Sequence, residues 1–195
     1  MSAFIQRRLI IGISGASGIV YGIRLLQLLS DIADAAPFET HLVMTHSAEI
    51  TLAHETSLKV ADVLDLADVV YANKDIGAAI ASGSFRTAGM IIAPCSMKTL
   101  AEVATGATDS LLTRAADVTL KERRRLVCLV RETPLHSGHL KNMLALSEMG
   151  AVIAPPVPAF YAKPTSIDEM INHTVGRVLD LFDVDVGTVT RWKEG

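Results

Sequence analysis

Short apolar runs alternate along the chain with longer stretches whose apolar residues recur every three or four positions. Residues 9–13 are a continuous apolar run, as in a strand buried on both faces of a parallel sheet. A small-residue turn, Gly15-Ala16-Ser17-Gly18, follows, and Ile19, Ile23, Leu26 and Leu29 then share one face of a helix over 19–29. A polar, proline-containing stretch over 30–37 ends that helix, and 38–45 reads as a second strand. The pair predicts a right-handed βαβ unit.

The rest of the chain repeats the alternation. Residues 47–52 are helical and close on His54-Glu55-Thr56, which leaves Glu55 in a loop; 59–71 is a mixed apolar stretch and 77–85 a looser segment. A strand over 88–93 enters a turn at 94–99 and a helix through Val103; Asp109 caps a helix over 110–124. Then come a strand over 126–130, a helix over 140–149 closed by Gly150, a short strand over 151–154 stopped by three prolines, and a final helix over 167–182. The pattern predicts a three-layer α/β domain of the flavodoxin/Rossmann kind, a mostly parallel sheet flanked by helices, with all of 1–195 in one domain.

Composition narrows the classes. A net charge of −3 offers no footprint for nucleic acid, and no apolar run approaches the length of a membrane helix. Cys95 and Cys128 lie far apart with no C-x-x-C, which suits free buried thiols. With no targeting signal apparent, a cytoplasmic protein is expected.

Ligands of such folds sit beyond the C-terminal ends of strands. The polar groups at 14–17, 45–46, 96–99 and 131–132 all fall there. The first turn reads Gly12-x-x-Gly15-x-x-Gly18, neither the dinucleotide fingerprint nor a Walker loop; it points to a mononucleotide phosphate or to a helix packed closely on a strand. Arg114, Lys121, Arg131 and Arg177 are guanidinium and ammonium groups suited to phosphate, although Arg114 and Lys121 equally fit a solvated helix face. Glu55 and Glu132 are candidates for proton transfer or for ion pairs. His136 and His139 have no third ligand nearby, and Asp62, Asp65 and Asp68 read as a solvated acidic stripe, so no metal is expected. No G-x-S-x-G elbow is present.

Taken together, GISGASGIVYGIRLL, APCSMKTLA, LLTRAADVTLKERR, VRETPLHSGHLKNML, GAVIAPPVPAFYAKP and TVGRVLDL resemble the UbiX-type flavin prenyltransferases from Arg8 to Phe182. The resemblance implies a metal-independent enzyme that joins a dimethylallyl group from dimethylallyl monophosphate to N5 and C6 of reduced FMN. Its product, prenylated FMN, would serve a UbiD-type decarboxylase, in ubiquinone biosynthesis or in aromatic acid decarboxylation. Carried over by position, Gly15, Ala16, Ser17, Thr45, Ser96, Met97, Lys98, Thr99 and Arg131 would contact FMN. Lys121, Tyr161 and Arg177 would hold the prenyl phosphate with Arg114 in support, and Ser17, Glu55, Lys121 and Glu132 would form the catalytic set. Thr45 stands where the family often has serine, and Arg125 where it commonly has proline. Members assemble as dodecamers with the site at subunit contacts. The alternative within the same fold is an FMN-dependent cysteine decarboxylase; its PASANT-type motif is replaced here by PCSMKT, though His46 is available. A non-catalytic flavin carrier is disfavoured by the second set of phosphate-binding residues.

Overall fold

The computed structural model describes residues 7–32 and 38–193. Six strands form one sheet in the order β3-β2-β1-β4-β5-β6: β1 Arg7–Ile13, β2 Phe38–Met44, β3 Val69–Ala72, β4 Gly89–Cys95, β5 Arg125–Val130 and β6 Val152–Ile153. Every neighbouring pair is parallel, so the sheet is wholly rather than mostly parallel. The order reverses between β1 and β4, the switch point beside which doubly wound sheets open a crevice.

Strand alternation assigns each face its helices. Leu9, Ile11 and Ile13 of β1 pack with α1 (Ile19–Asp31), α2 (His46–Glu55), α3 (Val60–Leu64) and α7 (Ile167–Asp180). Ile10, Met90 and Ile92 face α4 (Met97–Thr105), α5 (Leu111–Lys121) and α6 (Ser137–Glu148). This period-two sorting holds although the strands read as uniform apolar runs, because both faces are covered. Cys95 and Cys128 are free and buried, as expected, and lie on the α5 face.

One glycine just past the first turn is required by packing. A Cβ on Gly22 would come within 2.3 Å of the Ala93 carbonyl oxygen, so α1 lies directly on β4. The reading of a helix packed closely on a strand is correct at that position.

Several boundaries differ from the sequence pattern, each for a local reason. The 59–71 stretch splits into α3 and the edge strand β3, and Asp68 pins that strand by accepting from the backbone N–H (2.7 Å) and hydroxyl (2.8 Å) of Thr40. Ser110, not Asp109, caps α5, its Oγ accepting from Thr113 N. That helix stops at Lys121 rather than running to 124: Arg123 N returns to Leu120 O and Arg124 N to Thr119 O, both at 2.9 Å. This is a Schellman closure whose left-handed position, Arg123 with φ 57°, is normally glycine. A side chain there costs on the order of 1 kcal/mol. His136 starts α6 three residues earlier than predicted, Nδ1 accepting from Gly138 N (3.0 Å) and His139 N (3.4 Å). The final helix ends at Asp180, two residues before the predicted end.

Gly22→Val forces the new methyl groups against the Ala93 carbonyl. We expect a loss of about 1–3 kcal/mol, read as a lower urea midpoint at unchanged m-value.

Candidate functional site

The cleft beyond β1 and β4 is held by one buried serine. Ser14, fully buried, donates from Oγ to the Pro94 carbonyl (2.9 Å) and accepts from Ser96 N (2.8 Å), while its own N–H donates to the same carbonyl at 3.2 Å. The two strand ends are thereby fixed to each other where the sheet order reverses. Ser14 was legible only as part of a polar cluster; no sequence signal marks its bridging role.

Each strand end then starts a helix through a hydroxyl cap. Thr45 accepts from Ala48 N (3.1 Å) at the start of α2, and Ser96 accepts from Thr99 N (3.2 Å) at the start of α4. Both hydroxyls face the cleft from helix N-termini, where the helix dipole favours anions. Thr99 is buried against Ser96, and Lys98 turns outward to Glu102 at 2.5 Å. A Cβ on Gly15 would overlap that of Ser47, so the first turn is pressed against the start of α2.

The start of α1, the place an anion was expected, is filled from within the chain. Glu55 is not in a loop but is the last residue of α2, and its carboxylate accepts from Gly18 N (2.9 and 3.1 Å) and Ile19 N (3.0 Å). Burial pushes the Glu55 carboxyl up. The Ser17 hydroxyl, the two backbone N–H groups and the nearby Arg131 outweigh that and hold it below the ordinary glutamate value. Glu55 is therefore ionised at neutral pH. The partners are 36 and 37 residues away, which is why no local pattern disclosed the cap.

Arg131 arrives from the end of β5, its N–H donating to Cys95 O at 3.2 Å. Glu132 follows it, accepting from Thr133 N (3.0 Å). The C-terminal end of the sheet thus brings the first turn to Glu55, ties Thr45 to the end of β1 and Ser96 to Ser14, and sets Arg131 beside the end of β4, with Met97 and Glu132 next to them in the chain. A set of hydroxyls, helix N-termini and one guanidinium beside a carboxylate is chemically suited to a flavin mononucleotide: donors for the ring and phosphate, and no competing cluster of metal ligands. Among the described residues no group of three or more His, Cys, Asp or Glu could hold a metal.

The other phosphate candidates lie elsewhere. Arg114 is in the first half of α5, paired with Asp117 at 2.6 Å. Lys121 is seven residues on, about 10 Å further from the strand ends, where it meets Glu122 at 2.5 Å. Arg177 sits in the last turn of α7 on Asp180, which Arg191 also engages. Tyr161 packs edge-on against His173 of α7 and against Trp192, with ring centroids 5.7 and 5.4 Å apart. Because α5 and α7 cover opposite faces, the sheet stands between Lys121 and the Tyr161–Arg177 pair. A single chain does not bring these residues together.

A family model described as Flavoprotein matches residues 4–179. The flavin prenyltransferase UbiX of Escherichia coli K12 is 57% identical over 190 residues, covering 96% of this chain and 99% of that one. The chain belongs to the UbiX flavin prenyltransferase family. Two solved structures share its fold closely. AnUbiX (PadA1), in complex with FMN and dimethylallyl pyrophosphate, superposes with a TM-score of 0.93 at 50% identity, covering 97% of this chain and 99% of that one. A dodecameric FMN-dependent UbiX-like decarboxylase from Escherichia coli O157:H7 gives 0.91 at 49% identity, covering 95% and 99%.

The Glu55 cap ties the site to the fold. Its carboxyl is held low in the folded state, so its stabilisation is present above the unfolded value near 4.3 and is lost as pH falls through the lower folded value. Glu55→Gln should lower the melting temperature at pH 7 and flatten its fall between about pH 5 and 3, as followed by circular dichroism. Ser14→Ala strands the Ser96 N–H, while the Pro94 carbonyl keeps the Ser14 backbone N–H, and denaturant titration should show a loss of about 1–3 kcal/mol.

Proposed function

We propose that this protein joins a dimethylallyl group to N5 and C6 of reduced FMN, taking it from dimethylallyl monophosphate. The observation that carries the reading is the strand-end cleft clasped by Ser14, with its hydroxyl caps, Arg131 and ionised Glu55, in a chain of this family. The relatives at half identity or more are prenyltransferases or bind FMN with an allylic phosphate, so the cysteine decarboxylase alternative is not favoured. AnUbiX was solved with the pyrophosphate; the monophosphate is our assignment for the donor here.

When bound, the reduced flavin supplies the electron-rich nitrogen and carbon that the prenyl group joins. The chain's residues do the rest. Gly15, Ala16, Ser17, Thr45, Ser96, Met97 and Arg131 hold the ring system and ribityl phosphate, with Lys98 and Thr99 contributing through the start of α4. With Glu55 filling the start of α1, the flavin phosphate is left with the N-termini of α2 and α4 and with Arg131. Breaking the allylic C–O bond gathers negative charge on the departing phosphate. Lys121, Arg177 and Tyr161, with Arg114 in support, stabilise that charge as preorganised donors. Ser17, hydrogen-bonded to Glu55, steadies that carboxylate beside the first turn. Ring closure would need one proton delivered to the prenyl double bond and one taken from C6, and Glu132, exposed just beyond the end of β5, or the departing phosphate would carry them.

The sheet between Lys121 and Arg177 implies that the donor is gripped between subunits. A homo-oligomer, as in the dodecameric relative, brings one chain's α5 to another's α7. The product, prenylated FMN, passes to a UbiD-type decarboxylase, and the protein works in the cytoplasm. No helix among the described residues is long and apolar enough to cross a membrane.

Anaerobic incubation with reduced FMN and the monophosphate should add the mass of one prenyl unit to the flavin. An unchanged flavin mass defeats the reading, and faster turnover with the pyrophosphate reassigns the donor. Lys121→Ala and Arg177→Ala should each raise the KM for the donor about tenfold or more. Co-assembled chains, one carrying each substitution, should recover activity that neither homogeneous variant has. Recovery that never exceeds the two separate variants places both residues in a site within one chain.

A further inference from the structure

A second basic cleft opens at the other end of the sheet, among the N-terminal ends of β1, β4, β5 and β6. It encloses about 560 Å³, and its charged lining is Arg7, Arg123, Arg124 and Arg125 with no carboxylate among its walls. In a chain of net charge −3, this concentration of one sign is local and not a property of the whole surface.

Three of the four guanidinium groups are held in place by neutral partners, which fix position without neutralising charge. Arg124 donates to the Phe85 carbonyl (2.7 Å) and the Gly83 carbonyl (2.6 Å). Arg7 donates to the Phe182 carbonyl at 3.4 Å and lies over the Phe38 ring at 4.8 Å; Arg125 lies 5.7 Å from the centre of the Phe182 ring. The carboxylate within ion-pair range of Arg124, Glu122 at 3.9 Å, is held more closely by Lys121 at 2.5 Å.

The fourth, Arg123, occupies the left-handed closing position of α5, where glycine is the unstrained choice. The chain thus places a guanidinium at the rim of the cleft in spite of the backbone. Four arginines held around an open volume repel one another until an anion shared among them removes the repulsion. Planar forks match phosphoryl oxygens pairwise. With both Arg124 Nη groups committed to carbonyls, the forks of Arg7, Arg123 and Arg125 remain, set around a volume of about 560 Å³ that is larger than one phosphate fills and within the range of small-molecule pockets.

We infer that this cleft binds an anion carrying two or more phosphoryl groups, at a site separate from the strand-end cleft. Recognition rests on the phosphoryl groups, which an inorganic pyrophosphate and a nucleoside diphosphate share. The site requires neither the flavin nor the prenyl donor.

The test is calorimetric titration of the full-length assembled protein, without flavin, with pyrophosphate, ADP and orthophosphate at about 0.15 M salt. Saturable pyrophosphate binding is expected, with orthophosphate at least about tenfold weaker. Comparable affinity for ADP means the phosphoryl groups alone are read, and tighter ADP binding identifies a nucleotide as the source. Arg123→Gly relieves the left-handed residue and so preserves the fold, and Arg125→Gln keeps the strand. Each should weaken pyrophosphate binding, and the pair should do so by about tenfold or more, with prenyl transfer at saturating substrates unchanged. Unaltered affinity in the double variant, absence of saturable binding, or displacement of pyrophosphate by dimethylallyl monophosphate overturns the inference.

Discussion

The structure depends on the buried hydroxyl of Ser14. At the switch point two neighbouring strands send their helices to opposite faces, so their C-terminal ends part and leave backbone groups without a ladder partner. Ser14 fills that gap, giving a proton to Pro94 O and taking one from Ser96 N. Buried polar groups left unpaired cost more than a made hydrogen bond returns, so this small side chain holds the crevice open at a fixed width. The first turn, the cap of α4 and the exit of β5 all lie around it.

A carboxylate at the start of α1 is the second constraint. Helix N-termini attract anions, and in this fold that place is commonly thought of as reserved for a ligand. Here Glu55 occupies it, accepting from Gly18 N and Ile19 N, so a fixed negative charge stands where the fold would otherwise offer bare N–H groups. Ser17 is drawn into the same arrangement through its side-chain hydrogen bond to Glu55.

The centre of the sheet and its main helices were legible because β1, β2, β4 and β5 are runs buried on both faces and α1, α4, α5 and α7 carry regular apolar stripes. What remained hidden were features decided across long sequence separations. The edge strand β3 has only four residues of alternating burial and is anchored by Thr40, 28 positions earlier. Glu55 reads as a polar residue after a weakly amphipathic helix, and nothing local announces its partners in the first turn. In the site, residues at strand ends were legible because topology alone brings strand ends together. Lys121, Tyr161 and Arg177 were recognised from motifs, and their separation by the sheet became visible only when the two helical layers were assigned their faces.

The partition of α5 and α7 to opposite sides of the sheet makes each chain carry two half-grips that point away from each other. Under the proposed roles of Lys121 and Arg177, a lone chain would hold only separate parts of the donor grip, one on each face of its sheet. Assembly would then be the on-switch for alkylation, and each subunit's chemistry the joint property of neighbours whose surfaces must evolve together.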